Sequence, residues 1–119
     1  MPFVTVEYSG QLAPTFDRPA FAQEVHEVAA AGINAPTEAF KTRFRSVEEA
    51  WFGAGEDDLD AVFIQVAILS GRTPKAIEHL SETVLEIARK HVSAAPGRRL
   101  HIMVETREME RDYYRAHKE

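Results

Sequence analysis

The chain begins with a period-two pattern. Phe3, Val4, Thr5, Val6 and Tyr8 are β-prone and predict a first strand over residues 3–8. "SGQLAPTF" then reads as a polar turn. Asp17 is a suitable N-cap and Pro19 fits a first helical turn. Phe21, Val25, Val28 and Ala29 recur at helical spacing, and Gly32 is expected just past the helix end. After the loop "INAPTEAF", the stretch "KTRFRSVEEAWF" predicts a second strand, followed by the glycine- and acid-rich turn "GAGEDDLD". Residues 61–69, "AVFIQVAIL", form the strongest strand pattern. Val62, Ile64, Val66 and Ile68 share one face, and the other face is also largely apolar, as in a central strand covered on both sides.

Thr73 and Pro74 repeat the capping pattern before a second helix, whose stripe is Ile77, Leu80, Val84 and Ile87, widened by Ala88 and His91. "AAPGRR" stops it, and "LHIMVE" predicts a last strand over residues 100–105. The tail "TREMERDYYRAHKE" is charged and reads as a short helix or an extended arm. The order is strand–helix–strand twice. This predicts an α/β (α+β) domain spanning residues 1–119: a first β-α-β unit over 1–59, a second over 60–105 and a tail over 106–119. Two such units fit a four-stranded sheet with two helices on one face. The strand pattern then leaves apolar residues on the other face, for which a second subunit is the expected cover.

Composition narrows the class. A chain of 119 residues buries roughly two-thirds of its unfolded surface, so a core forms without staples. The net charge of −5, from 19 acids and 14 bases, argues against a nucleic-acid partner. Lys41, Arg43 and Arg45 nonetheless cluster, which suits a small anion. The absence of cysteine excludes disulfides, thiolate metal sites and thiol catalysis. No signal-peptide pattern and no apolar run of about 20 residues are present, so a cytoplasmic protein without a membrane partner is expected. His26, His79 and His91 lie on helical stretches without metal-site spacing, and no metal is expected. The "GAG" at residues 53–55 lacks the P-loop lysine pattern. Trp51 and Phe52 suit subunit packing or an apolar pocket, while Tyr113 and Tyr114 suit a docking tail or a pocket rim.

Proline at position 2 stands out. It opens a strand to which it gives no N–H. Taken with "MPFVTVEYS", "AAAGI", "FKTRFRSVEEAWFGAGEDDLDAVFIQVAILSGRTPKAI" and "SETVLEIARKH", the chain resembles the tautomerase superfamily, and within it the 5-carboxymethyl-2-hydroxymuconate isomerase family. The resemblance covers most of the chain and rests on the order and spacing of these pieces. It implies that Met1 is removed and that the Pro2 amine serves as general base and acid. It further implies keto–enol or double-bond isomerisation of a small unsaturated oxo-acid, without a cofactor, in a homotrimer. The family's substrate-binding arginines fall on Lys41 and on Arg72, with Arg43 two residues along the strand. Lysine is a departure, because a point charge cannot make a planar two-point contact with a carboxylate. A hydratase or dehalogenase of the same superfamily, or a non-catalytic homologue, remains an alternative reading.

Overall fold

The computed structural model describes residues 2–119. Four strands, β1 (Phe3–Ser9), β2 (Lys41–Val47), β3 (Leu59–Leu69) and β4 (Arg99–Met109), form one sheet in the order β2-β1-β3-β4. Each β-α-β unit gives a parallel pair, β1 with β2 and β3 with β4. The units meet through the antiparallel pairing of β1 with β3, in which Val4 faces Val66 and Val6 faces Ile64. The sheet is therefore mixed, and its two central strands are the most apolar ones.

Helix α1 starts at Arg18–Glu24, passes through a π turn at Val25–Ala29 and ends with Ala30–Gly32. Helix α2 is Pro74–His91. Both N-caps form as the sequence predicts: the Ala20 N–H donates to Asp17 Oδ1 at 3.1 Å, and the Ala76 N–H donates to Thr73 Oγ1 at 3.1 Å. Both helices pack on one face of the sheet. The core joins Val4, Val6, Val62, Ile64, Val66 and Ile68 to Phe21 and Val25 from α1 and to Leu80, Val84 and Ile87 from α2.

Several details differ from the pattern reading. The π turn inserts an extra residue into α1 and shifts its phase. Ala29 and Ala30 consequently turn inward, while Val28, expected on the apolar stripe, is 45% exposed. The left-handed residue after the helix is Asn34 (φ 54°), not Gly32, which is the helix's last residue. Strand β2 stops at Val47, so "EEAWF" is loop. Strand β4 runs to Met109, where its ladder with β3 continues through Leu69. Asp60, expected in the acidic turn, is buried at the start of β3. It accepts from Arg98 Nε at 2.8 Å and Nη2 at 3.0 Å, a two-point contact that offsets its desolvation.

Among the described residues, no helix or second sheet covers the face opposite the helices. Phe63 (37% exposed) and Met103 (40% exposed) are paired across β3 and β4 on that face. Lys41, Arg43 and Arg45 share it, matched to Phe3, Thr5 and Glu7. No helix among the described residues is long and apolar enough to cross a membrane.

Candidate active site

Pro2 precedes β1 and is buried. Its carbonyl accepts from the Lys41 N–H at 3.1 Å, extending the β1–β2 ladder by one bond. The missing proline donor therefore costs this edge of the ladder nothing, and the ring can turn toward the helix side. There Pro2 lines a pocket of about 220 Å³ with Asn34, Pro36, Ile68, Arg72 and Arg111 among its walls. That size suits a small metabolite rather than a large ligand.

Three chain reversals build the pocket. Asn34 in the left-handed region ends α1, and the Ala35 N–H donates back to Ala30 O at 2.9 Å. A 3-10 turn at Thr37–Ala39 then leads into β2. At the end of β3, Gly71 has φ 121°, a conformation closed to residues with a Cβ. That reversal sets Arg72 beside the pocket. Arg72 Nη1 donates to Leu69 O at 3.4 Å, and Nη2 donates to Ile33 O at 3.2 Å. The half-buried guanidinium thus bridges the end of β3 and the loop after α1, with N–H donors left over for a ligand.

Of the residues singled out from sequence, Pro2 and Arg72 come together in this pocket. Lys41 adjoins Pro2 through the backbone, but its ammonium is turned to the carbonyls of Glu38 and Ala39, both at 3.3 Å. Arg43 stands one same-face position farther along β2, opposite Thr5 and away from the pocket walls. Lys41 also affects its surroundings. His26, whose Nε2 lies 2.8 Å from Thr42 Oγ1, has its pKa lowered, first by burial and then by the Lys41 charge. No group of acids and histidines among the described residues is arranged to hold a metal.

Arg111 escaped the sequence reading, which placed it in an undifferentiated tail. It begins a 3-10 turn, Arg111–Tyr113, immediately after β4. Only the ladder between β3 and β4, carried on to Met109, brings that turn to the Pro2 end of the sheet. Tyr114, considered for a rim, packs edge-on against Phe3 with ring centroids 6.5 Å apart. Tyr113 is 85% exposed, as is Trp51 at 79%, whereas Phe52 lines an apolar hollow of about 210 Å³ with Phe63 and Met103. A wider hollow of about 540 Å³ lies between Pro14–Asp17 and Arg89–Ser93, but it is shallow and its cations are engaged. Arg89 pairs with Glu86, and Lys90 and His91 pair with Glu24.

The family model for 5-carboxymethyl-2-hydroxymuconate isomerase matches residues 2–118, nearly the whole chain. The chain belongs to the 5-carboxymethyl-2-hydroxymuconate isomerase family. It is thereby placed among isomerases of the tautomerase superfamily. The solved structures agree on the fold. One is a 5-carboxymethyl-2-hydroxymuconate isomerase from Deinococcus radiodurans R1, 20% identical with a TM-score of 0.84, over 99% of this chain and 90% of that one. A 5-carboxymethyl-2-hydroxymuconate delta-isomerase is 19% identical with a TM-score of 0.81, over 100% and 89%. A fused 4-OT wild-type symmetric trimer is 14% identical with a TM-score of 0.67, over 94% and 91%. No curated protein matches the sequence. At these identities the structures speak for the fold, and the family model carries the membership.

Proposed function

We propose that the pocket at Pro2 is the active site of a cofactor-independent isomerase acting on a small unsaturated oxo-acid. The observation that carries the reading is the meeting of Pro2 and Arg72 in one pocket. The two are distant in sequence and are joined only by the fold.

In this reading, removal of Met1 frees a secondary amine at Pro2. An ordinary α-amine titrates near ~8, and burial beside a guanidinium lowers that value. The amine is then neutral near physiological pH and competent as a base. It takes a proton from the enol hydroxyl or from a carbon next to the carbonyl. The electrons shift along the conjugated chain, and the ammonium returns the proton to another carbon, so no co-reactant is consumed. The proline ring fixes the direction of the nitrogen throughout. Arg72 holds the substrate carboxylate and stabilises the charge that develops on oxygen. Lys41, one hydrogen bond from Pro2, adds a positive charge that cannot grip a carboxylate at two points.

A homotrimer completes the proposal. The uncovered sheet face with Phe63 and Met103 is available to neighbouring copies, and a 4-OT protein of the same fold is a symmetric trimer. Arg43 would then add charge at the subunit boundary. The test is ketonisation of 2-hydroxymuconate by the wild type and by Pro2→Ala. A loss of about 10²-fold or more in kcat is expected for removal of a general base. Equal turnover by the two proteins would overturn the assignment.

A further inference from the structure

Arg111 is the one charged wall of the Pro2 pocket that the proposed mechanism leaves without a task. Its position is built rather than incidental. The Arg111 N–H donates to Ser70 Oγ at 3.2 Å, and its Nη2 donates to Ser70 O at 3.1 Å. Ser70 is itself pinned, because its N–H donates to Met109 O at 2.9 Å. The neighbouring Gly71 N–H donates to Glu108 Oε2 at 3.3 Å. The turn between β3 and α2 and the turn after β4 are thus tied together at the pocket mouth. The contact of Tyr114 with Phe3 holds the chain beyond Arg111 against the start of β1.

The charge balance is informative. The chain carries net negative charge, and its ion pairs among the described residues engage Arg45, Arg89, Arg98, Arg99 and Arg107. Neither Arg72 nor Arg111 is in such a pair, nor are Arg18, Arg43 and Arg115; of these five, Arg72 and Arg111 line one small pocket. Two guanidiniums facing one cavity repel each other, a cost that a ligand with two separated anionic groups removes. Arg72 extends from the turn that ends β3 and Arg111 from the turn that ends β4, and their guanidiniums bond to the consecutive carbonyls Leu69 O and Ser70 O, so each stands at the pocket on its own tether.

We propose that Arg111 is a specificity-determining residue that binds a second anionic group of the substrate, separate from the one held by Arg72. The inference rests on the Pro2 pocket being the substrate site. Arg111 is exposed, so its contact is worth less than a buried one.

Calorimetric binding of two unreactive six-carbon dienoates tests it: muconate, with a carboxylate at each end, and sorbate, with a methyl group at one end. The wild type is expected to bind muconate about two- to fivefold more tightly than sorbate. Arg111→Gln is expected to abolish that preference and leave sorbate affinity unchanged, while Arg72→Gln weakens both ligands. Arg111→Lys, which keeps the charge, is expected to retain part of the preference. Equal weakening of both ligands by Arg111→Gln would make Arg111 a general support of the fold and overturn the proposal. An unchanged preference, or wild-type protein that binds neither ligand at 10-millimolar order concentrations (roughly the weak limit of −3 kcal/mol), would overturn it as well. Because no turnover is measured, failure of Pro2 as a base leaves this outcome readable, and failure here leaves the Pro2→Ala result standing.

Discussion

Replacing Arg72 by alanine should separate a structural task from a chemical one. Structurally, the guanidinium donates to Ile33 O at 3.2 Å and Leu69 O at 3.4 Å. Both contacts are longer than the usual optimum near 2.9–3.0 Å, and the group is half-buried. Each is therefore assigned roughly 0.5–1 kcal/mol, below the range for well-formed charged hydrogen bonds. The variant should lose about 1–2 kcal/mol of stability, a fall of several degrees in Tm for a chain of this size. Chemically, the variant loses the cation that meets the substrate carboxylate and the developing oxyanion, an effect of about 3–4 kcal/mol when one such donor is removed. The expected fall in kcat/KM is thus about 10²-fold or more, measured well below the Tm of both proteins. Arg72→Lys should recover part of the activity through charge. It should recover less of the Tm, since one ammonium does not span two carbonyls as a planar fork does. The assay is steady-state kinetics paired with thermal unfolding on the same preparations. An Arg72→Ala protein that melts lower yet keeps wild-type kcat/KM would refute the reasoning and leave Arg72 as a loop tie alone.

Three further outcomes are expected. His26 has a lowered pKa, so the unfolded chain takes up its proton first as pH falls; stability should be full above about 6.5, the ordinary histidine value, and decline below it. Lys41→Met should raise the His26 pKa in an NMR titration, and an unmoved value would remove Lys41 as a cause. Glu24 is held below the usual carboxylate range by its hydrogen bonds to Lys90 and His91, so its share of stability is present above about 4.5 and is lost as pH drops through the depressed value. Glu24→Gln should flatten the acid limb of a Tm–pH curve, and an unaltered limb would contradict the assignment. Phe63→Arg places a charge on the uncovered sheet face and should yield monomers by light scattering; an unchanged assembly would show that this face is not the subunit contact.

What could be read from the residues was local. Alternation in β1 and β3, the Asp17 and Thr73 caps and the stripe of α2 express periodicity and capping chemistry that single segments carry. The pairing of β1 with β3 was not legible in this way, since antiparallel register depends on which apolar faces meet in space. The π turn that exposes Val28 was hidden for a related reason: the spacing of Phe21, Val25, Val28 and Ala29 fits an ordinary helix equally well. In the site, Pro2 was visible as a residue at odds with its strand, and Arg72 as a cation at a helix start. Arg111 carried no such mark, because "MERDYY" resembles any charged tail. Its place beside Pro2 depends on the length of β4, whose last residues, Arg107–Met109, are polar or edge-like and lack a clear alternating pattern. Lys41 shows the converse case, a residue adjacent to Pro2 in the ladder whose charged end points to two carbonyls.

The central claim is that the Pro2 nitrogen is a free, neutral amine when the protein acts. A nitrogen-15 NMR titration of protein labelled at proline tests this directly. One proline nitrogen is expected to titrate below the ~8 of an ordinary α-amine, at the same pH as the acidic limb of kcat/KM. A Pro2 signal that does not titrate, as an amide behind a retained Met1 would not, contradicts it.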